Sequence, residues 1–118
     1  MLYPRTKSKS VQLGESVYKK HCANCHGNKG QGLRLLIPPL GDARSMELSN
    51  LLCTIRYGKK GPLVIFGETY NRPMPGNYEL ENDEITALVN YLYTLFPATS
   101  PSIPVTLAEV NALIQQCN

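Results

Sequence analysis

Apolar residues recur at helical spacing in three stretches, separated by long irregular segments. The first stretch starts at Ser10 as cap and runs through Val11, Gly14, Val17 and Tyr18 toward Cys22. The second begins at Ser45 and ends before Gly58, with Leu48, Leu51, Leu52 and Ile55 on one stripe. The third starts near Asn82, with Asp83 and Glu84 in the first turn, where the helix dipole favours acids. Its buried stripe is Ile85, Leu88, Val89, Leu92 and Leu95, and Pro97 stops it. After a Pro/Ser/Thr linker from Pro97 to Pro104, Thr106 and Glu109 form a capping box for a short final helix ending near Cys117. Residues 27–41, rich in Gly and Pro, read as loop. Leu63 to Tyr70 has strand-like residues around Gly67-Glu68 that fit a short hairpin, and Asn71 to Gly76, with two prolines, reads as loop. The expected fold class is all-α: helices joined by long loops, with little sheet. A loop as long as 27–41 is uncommon in a small domain unless something fills the space beside it, which points to a large ligand.

At 118 residues the chain is one domain with a modest core. Its 42% hydrophobic and 18% charged residues exclude a disordered chain. Three segments are expected: a flexible N-terminal segment 1–9, a ligand-holding domain 10–96, and a Pro-rich linker with a C-terminal helix, 97–118, packed back on it. No apolar run approaches the ~20 residues of a membrane span. Met1 precedes a polar stretch, Arg5 to Ser10, instead of a signal peptide's apolar region, so an exported protein would be met here in mature form. The net charge of +3 is too mild to argue for nucleic acid. Its distribution is more telling. Residues 1–60 carry eleven of the twelve Lys and Arg against Glu15, Asp42 and Glu47, net +8; residues 61–118 carry Arg72 against six acids, net −5. Such polarity can present a basic face to an acidic partner.

The chemistry is concentrated in Cys22-Ala23-Asn24-Cys25-His26. The C-x-x-C-H run reads as covalent c-type haem attachment. Two thiols three residues apart at a helix end can both reach the vinyl groups of one haem edge, and the next residue, His26, then offers an imidazole nitrogen to the iron. Three other readings compete. A thioredoxin-like redox pair needs strands alternating with helices, which the pattern lacks. Zinc on His21, Cys22, Cys25 and His26 would force two adjacent pairs onto one tetrahedral ion, a strained arrangement. The third is a plain Cys22–Cys25 disulfide.

The run Gly14-x-x-x-Tyr18-x-x-His21-Cys22-Ala23-Asn24-Cys25-His26-Gly27 resembles the start of class I mono-haem c-type cytochromes. So do Pro38-Pro39-Leu40-Gly41 after the loop, and Met74-Pro75-Gly76 followed by a helix carrying Leu88-x-x-Tyr91. The resemblance covers Val11 to Phe96, with its pieces in family order. It implies the cytochrome c fold, three core helices wrapped around one covalent haem c, here with a C-terminal helical extension. It implies that Cys22 and Cys25 are the thioether cysteines, that His26 is the proximal iron ligand, and that the Pro38 carbonyl accepts the other imidazole N–H. It places Gly14 and Tyr18 where first and last core helices cross, against Leu88 and Tyr91. The chain departs from the family in having no Trp, so the tryptophan many relatives place near a haem propionate is absent.

For the distal ligand the residues favour Met74. Met1 is terminal and Met46 lies at an expected helix start, whereas Met74 sits in Arg72-Pro73-Met74-Pro75-Gly76, a polar loop stiffened by two prolines. Its Met-Pro pair also matches the family's distal ligand. A thioether raises the reduction potential relative to a second imidazole. Tyr70 could hydrogen-bond the sulfur or a propionate, or pack in the core. His21, locked beside Cys22, reads as a surface histidine.

Cys53 falls off the apolar stripe of its helix, and Cys117 shares a side with Leu107, Val110 and Ile114. A Cys53–Cys117 disulfide is expected, closing a loop of about 64 residues and contributing about 4 kcal/mol in the chain-entropy model. Haem attachment of this type implies export, and exported compartments permit disulfides.

The expectation is therefore an electron carrier, not an enzyme: a monomer shuttling single electrons in a respiratory chain between donor and acceptor oxidoreductases. It would lie in the periplasm or otherwise outside the cytoplasmic membrane, tethered there if a further segment exists. Lys19, Lys20, Lys29, Lys59 and Lys60 would form a docking patch for these redox partners. The alternatives are a haem domain or subunit of a larger periplasmic oxidoreductase, a haem enzyme or gas sensor with a labile Met ligand, and a zinc-binding structural module.

Overall fold

A computed structural model describes residues 8–117. The first helix, α1 (Lys9–His21), begins earlier than Ser10. Ser8 is the cap, its hydroxyl accepting from Val11 N at 3.1 Å while Gln12 N reaches the Ser8 carbonyl at 3.0 Å. Either serine can cap; using Ser8 adds backbone hydrogen bonds and leaves the apolar stripe unchanged. Lys9 of the expected flexible segment is thus helical, and residues 1–7 lie outside the described residues.

The centre of the molecule is the crossing of α1 with α4 (Asn82–Leu95). Gly14 makes the crossing close: a Cβ there would lie 2.1 Å from the Ala87 carbonyl oxygen and 2.7 Å from Tyr91 Cβ. Val17 and Tyr18 pack beside it, with the Tyr18 and Tyr91 rings 5.7 Å apart. α4 starts where the sequence placed it, and the Glu84 carboxylate accepts from Glu81 N at 2.8 Å.

α3 (Leu48–Tyr57) follows the one-turn helix α2 (Ala23–His26) and a long loop. It starts at Leu48, not Ser45, because the Asp42 carboxylate captures the N–H groups of Arg44 and Ser45 in a turn. Glu47 becomes the cap, accepting from Asn50 N at 3.2 Å. Leu51, Leu52 and Ile55 are buried as the stripe requires. Met46 is buried too, its carbonyl accepting the Tyr93 hydroxyl at 2.6 Å.

The short hairpin expected between α3 and α4 is present, and one further strand pair adds to it. β2 (Leu63–Ile65) and β3 (Glu68–Tyr70) form an antiparallel hairpin with Leu63 opposite Tyr70. Its turn is Phe66-Gly67, with φ of 49° and 79°. Two successive positive φ values match the twist of two-residue hairpins. Outside it, β1 (Gly58–Lys59) pairs antiparallel with β4 (Met74–Pro75), so part of the expected Asn71–Gly76 loop is a strand. The strands are two or three residues long, and the core remains helical.

After a 3-10 turn at Pro97–Thr99 the linker returns to the domain. Asn90 grips it twice, donating to the Val105 carbonyl and accepting from Val105 N, both at 2.9 Å. Thr106 and Glu109 cap α5 (Leu107–Gln115) as expected. Val110 and Ile114 are buried, whereas Leu107 of the expected apolar side is exposed. Cys117 is joined to Cys53 by a disulfide with a Cα–Cα distance of 5.6 Å. Among the described residues no helix is long and apolar enough to cross a membrane.

Candidate functional site

α1 breaks at Cys22, whose N–H still bonds the Tyr18 carbonyl at 2.8 Å while its own carbonyl accepts from His26 N at 2.9 Å and Cys25 N at 3.2 Å. Cys22, Cys25 and His26 therefore share a single turn, which Gly27 ends at φ 87°. The Tyr18 hydroxyl donates to the Gly27 carbonyl and ties this turn back to α1. Burial pushes the Tyr18 hydroxyl up to about 12, so it stays a donor at neutral pH.

Cys22 and Cys25 are free thiols and not a disulfide. Burial, and secondarily Cys25 beside it, pushes the Cys22 thiol up to about 12. A thiol so poorly ionised is the reverse of a reactive redox pair, whose nucleophile needs a depressed value. Zinc fares no better. Among the described residues no cluster of three or more His, Cys, Asp or Glu is placed to hold a metal ion. His21 is half-buried, not a surface histidine, and its Nδ1 lies 3.1 Å from Glu79 Oε2.

His26 is buried, and its Nδ1 lies 3.0 Å from the Pro38 carbonyl oxygen. Burial lowers its pKa, which keeps the imidazole neutral at pH 7; Nδ1 then donates to Pro38 and Nε2 carries the lone pair. Among the described residues every buried side-chain nitrogen and oxygen has a partner, and Nε2 has none. Nε2 is therefore not fully sealed from solvent, and its lone pair is not engaged by the protein. The loop that returns Pro38 to His26 is held by Gly32 N to the His26 carbonyl at 2.7 Å and Leu40 N to the Gly30 carbonyl at 2.7 Å. It leaves Leu33, Leu35 and Leu36 each more than half exposed. Three bare leucines on one short segment of the loop bonded to His26 fit the presence of a large apolar group. The residues present thus suit a haem bound through Cys22, Cys25 and His26.

Met74 is half-buried in β4, opposite Lys59 of β1. Tyr70 is buried at the end of β3, and its hydroxyl makes no hydrogen bond among the described residues, neither to the Met74 sulfur nor to any other group. Tyr70 is thus buried but stands apart from the main hydrophobic core, with its hydroxyl left available. Lys19, Lys20, Lys29 and Lys60 are exposed and Lys59 is half-buried; Lys19 pairs with Glu15 at 3.4 Å and Lys59 reaches Asn50 Oδ1 at 3.4 Å.

Sequence reasoning missed Arg56 and Asn77, which bind the Met74 segment to α3, and Asp42, which binds the hairpin turn through Phe66 N at 3.0 Å. The signal available was the pair of glycines at 58 and 76, each next to a point of close backbone approach.

Comparison with known proteins places the chain in a family. The family profile described as Cytochrome c matches residues 11–96. Two proteins named cytochrome c-552, one from Thermus thermophilus and one from a particular strain of that organism, are each 31% identical over 87 residues. The match takes in 69% of this chain but 66% and 58% of those two proteins, less than two thirds of either length.

Proposed function

The chain belongs to the cytochrome c family, which carries haem c covalently, and from that membership we propose a one-electron carrier with His26 and Met74 as the axial pair. The observation that carries the proposal is the turn holding Cys22, Cys25 and His26, with Nδ1 engaged by Pro38 and Nε2 free. When bound, the haem supplies a one-electron iron couple.

The protein's part follows from its residues. Cys22 and Cys25 would anchor the group through two thioether bonds. The Pro38 carbonyl fixes the His26 tautomer and ring orientation and raises its basicity as a ligand. Met74, between two prolines, offers a soft, neutral sulfur that favours the reduced state. Leu33, Leu35 and Leu36, each more than half exposed, would be the apolar side chains available to shield such a group from water. With His26 and Met74 both holding the iron, no position would be left for a substrate, which favours a carrier over a haem enzyme or sensor.

The Cys53–Cys117 disulfide supports an oxidising, exported compartment such as the periplasm. The exposed lysines support docking to acidic faces of donor and acceptor proteins, with electron-transfer rates that fall as ionic strength rises. A salt-independent rate with every partner would remove the docking patch from the account.

Optical spectra of protein from a host that attaches haem, taken in both oxidation states, test the whole. Low-spin bands are expected, with a far-red sulfur-to-iron charge-transfer band in the ferric form that Met74→Ala abolishes. High-spin ferric iron, or haem extracted by acidified organic solvent, would overturn the ligation and the attachment respectively.

A further inference from the structure

The segment from Met74 to Tyr78 runs against the C-terminal end of α3 and the β1 residues that follow it. Lys59 pairs with Met74 and Gly58 with Pro75. Gly58 has φ 82°, and a Cβ on it would lie 2.3 Å from the Met74 carbonyl oxygen, so only glycine allows this approach. A Cβ on Gly76 would lie 2.5 Å from the Arg56 carbonyl oxygen. Asn77 uses both its backbone N–H and its Nδ2 to cap the Ile55 carbonyl, at 2.9 and 3.0 Å. The Tyr78 ring meets Tyr57 edge-on at 6.2 Å.

Arg56 spans the whole arrangement. Its Nη1 donates to the carbonyls of Asn77 at 3.0 Å and Tyr78 at 3.4 Å, and its Nη2 donates to Asn82 Oδ1 at 2.6 Å. Among the described residues it pairs with no carboxylate; the guanidinium is spent on neutral oxygens of one segment. Asn82 is the first residue of α4 and donates in turn to Asn111 of α5 at 2.8 Å. A planar fork presents donors on two separate nitrogens in fixed directions, a spread that a lysine's single ammonium nitrogen lacks. Hydrogen bonds from a charged donor are the strong ones.

We propose that Arg56 is a positioning residue for Met74: it latches residues 77–82 to α3 and so sets how readily the sulfur leaves its ligand position. The proposal rests on Met74 being the distal ligand. Arg56 does not touch the sulfur; it acts through a carbonyl lattice that begins three residues further along the chain.

The test is the rate at which imidazole, added to the ferric haem-loaded protein, displaces the distal ligand, followed through the far-red band. Arg56→Gln should raise this rate at least tenfold, and Arg56→Lys should fall between wild type and the Gln variant. Thermal midpoints measured alongside identify a purely structural role, which would lower the midpoint of Arg56→Gln and leave its imidazole rate in the folded state unchanged. If Arg56→Gln does not acquire haem, Arg56→Lys supplies the comparison, with at least a threefold rise expected. Met74→Ala is the control for the ligand itself. A wild-type band that Met74→Ala abolishes, together with Arg56 variants that exchange at the wild-type rate, overturns the latch and leaves the ligand reading intact. A ferric spectrum that Met74→Ala leaves unchanged overturns the ligand reading and the latch with it.

Discussion

Replacing Gly14 by Ala separates close helix packing from helix propensity. In an isolated helix the change is favourable by about 1 kcal/mol, because alanine loses less backbone entropy than glycine. Here the new Cβ would sit 2.1 Å from the Ala87 carbonyl oxygen, 2.7 Å from the Ala87 carbonyl carbon and 2.7 Å from Tyr91 Cβ. Two of these atoms are backbone, and Tyr91 Cβ is fixed by it, so no rotamer change relieves them. Ordinary contact near ~3.5 Å requires α1 and α4 to part by roughly 1 Å or more, along a crossing that buries Val17, Tyr18, Leu88 and Tyr91. Overpacking of this kind costs about 3 kcal/mol or more. After the propensity gain, the net loss is about 2 kcal/mol or more. For a chain of this length that lowers the thermal midpoint by roughly 8 °C. Denaturation of the haem-loaded protein followed by far-ultraviolet circular dichroism reads the change, with Ser16→Ala on the exposed face of α1 as the propensity control. A Gly14→Ala protein as stable as Ser16→Ala would refute the reasoning, since the crossing would then have room for a methyl group.

Two further predictions concern the elements that frame the site. The paired change Cys53→Ala/Cys117→Ala opens a 64-residue loop and should cost up to about 4 kcal/mol in urea denaturation; an unchanged midpoint would mean that the packing of Val110 and Ile114 alone holds α5 in place. Asp42 accepts from Phe66 N and from Ser45 and Arg44, which outweighs its slight burial and holds its carboxyl below the usual range. Its contribution is therefore present above the unfolded carboxyl's value near ~3.9 and is lost as pH falls through the lower folded value. Asp42→Asn should flatten the fall in thermal midpoint below about pH 4, and an acid limb identical to wild type would show that other carboxylates set it.

Local rules made much of the molecule legible. The C-x-x-C-H turn, the acidic start of α4, the Thr106–Glu109 capping box and the stripe of α3 are each written in residues a few positions apart. Such features depend on hydrogen bonds and periodicities within one or two turns, and a linear reading captures them. Boundaries were read less well wherever two side chains could do the same job. Ser8 and Ser10 could each cap α1, and Asp42 took the N–H groups that a helix beginning at Ser45 would have used.

What lay beyond the linear reading involves partners many residues apart. Nothing near Arg56 announces that its guanidinium ends on Asn77, Tyr78 and Asn82, twenty-one to twenty-six residues on. The pairing of Gly58-Lys59 with Met74-Pro75 is equally silent, because neither dipeptide has strand character of its own. The amino-acid order settles which groups can attach the haem and bind its iron, since that is a matter of side-chain chemistry and short spacing. How the 74–78 segment is clasped emerges only when it and α3 are folded together, because the backbone groups that pair there are common to every residue type and acquire partners only through chain path.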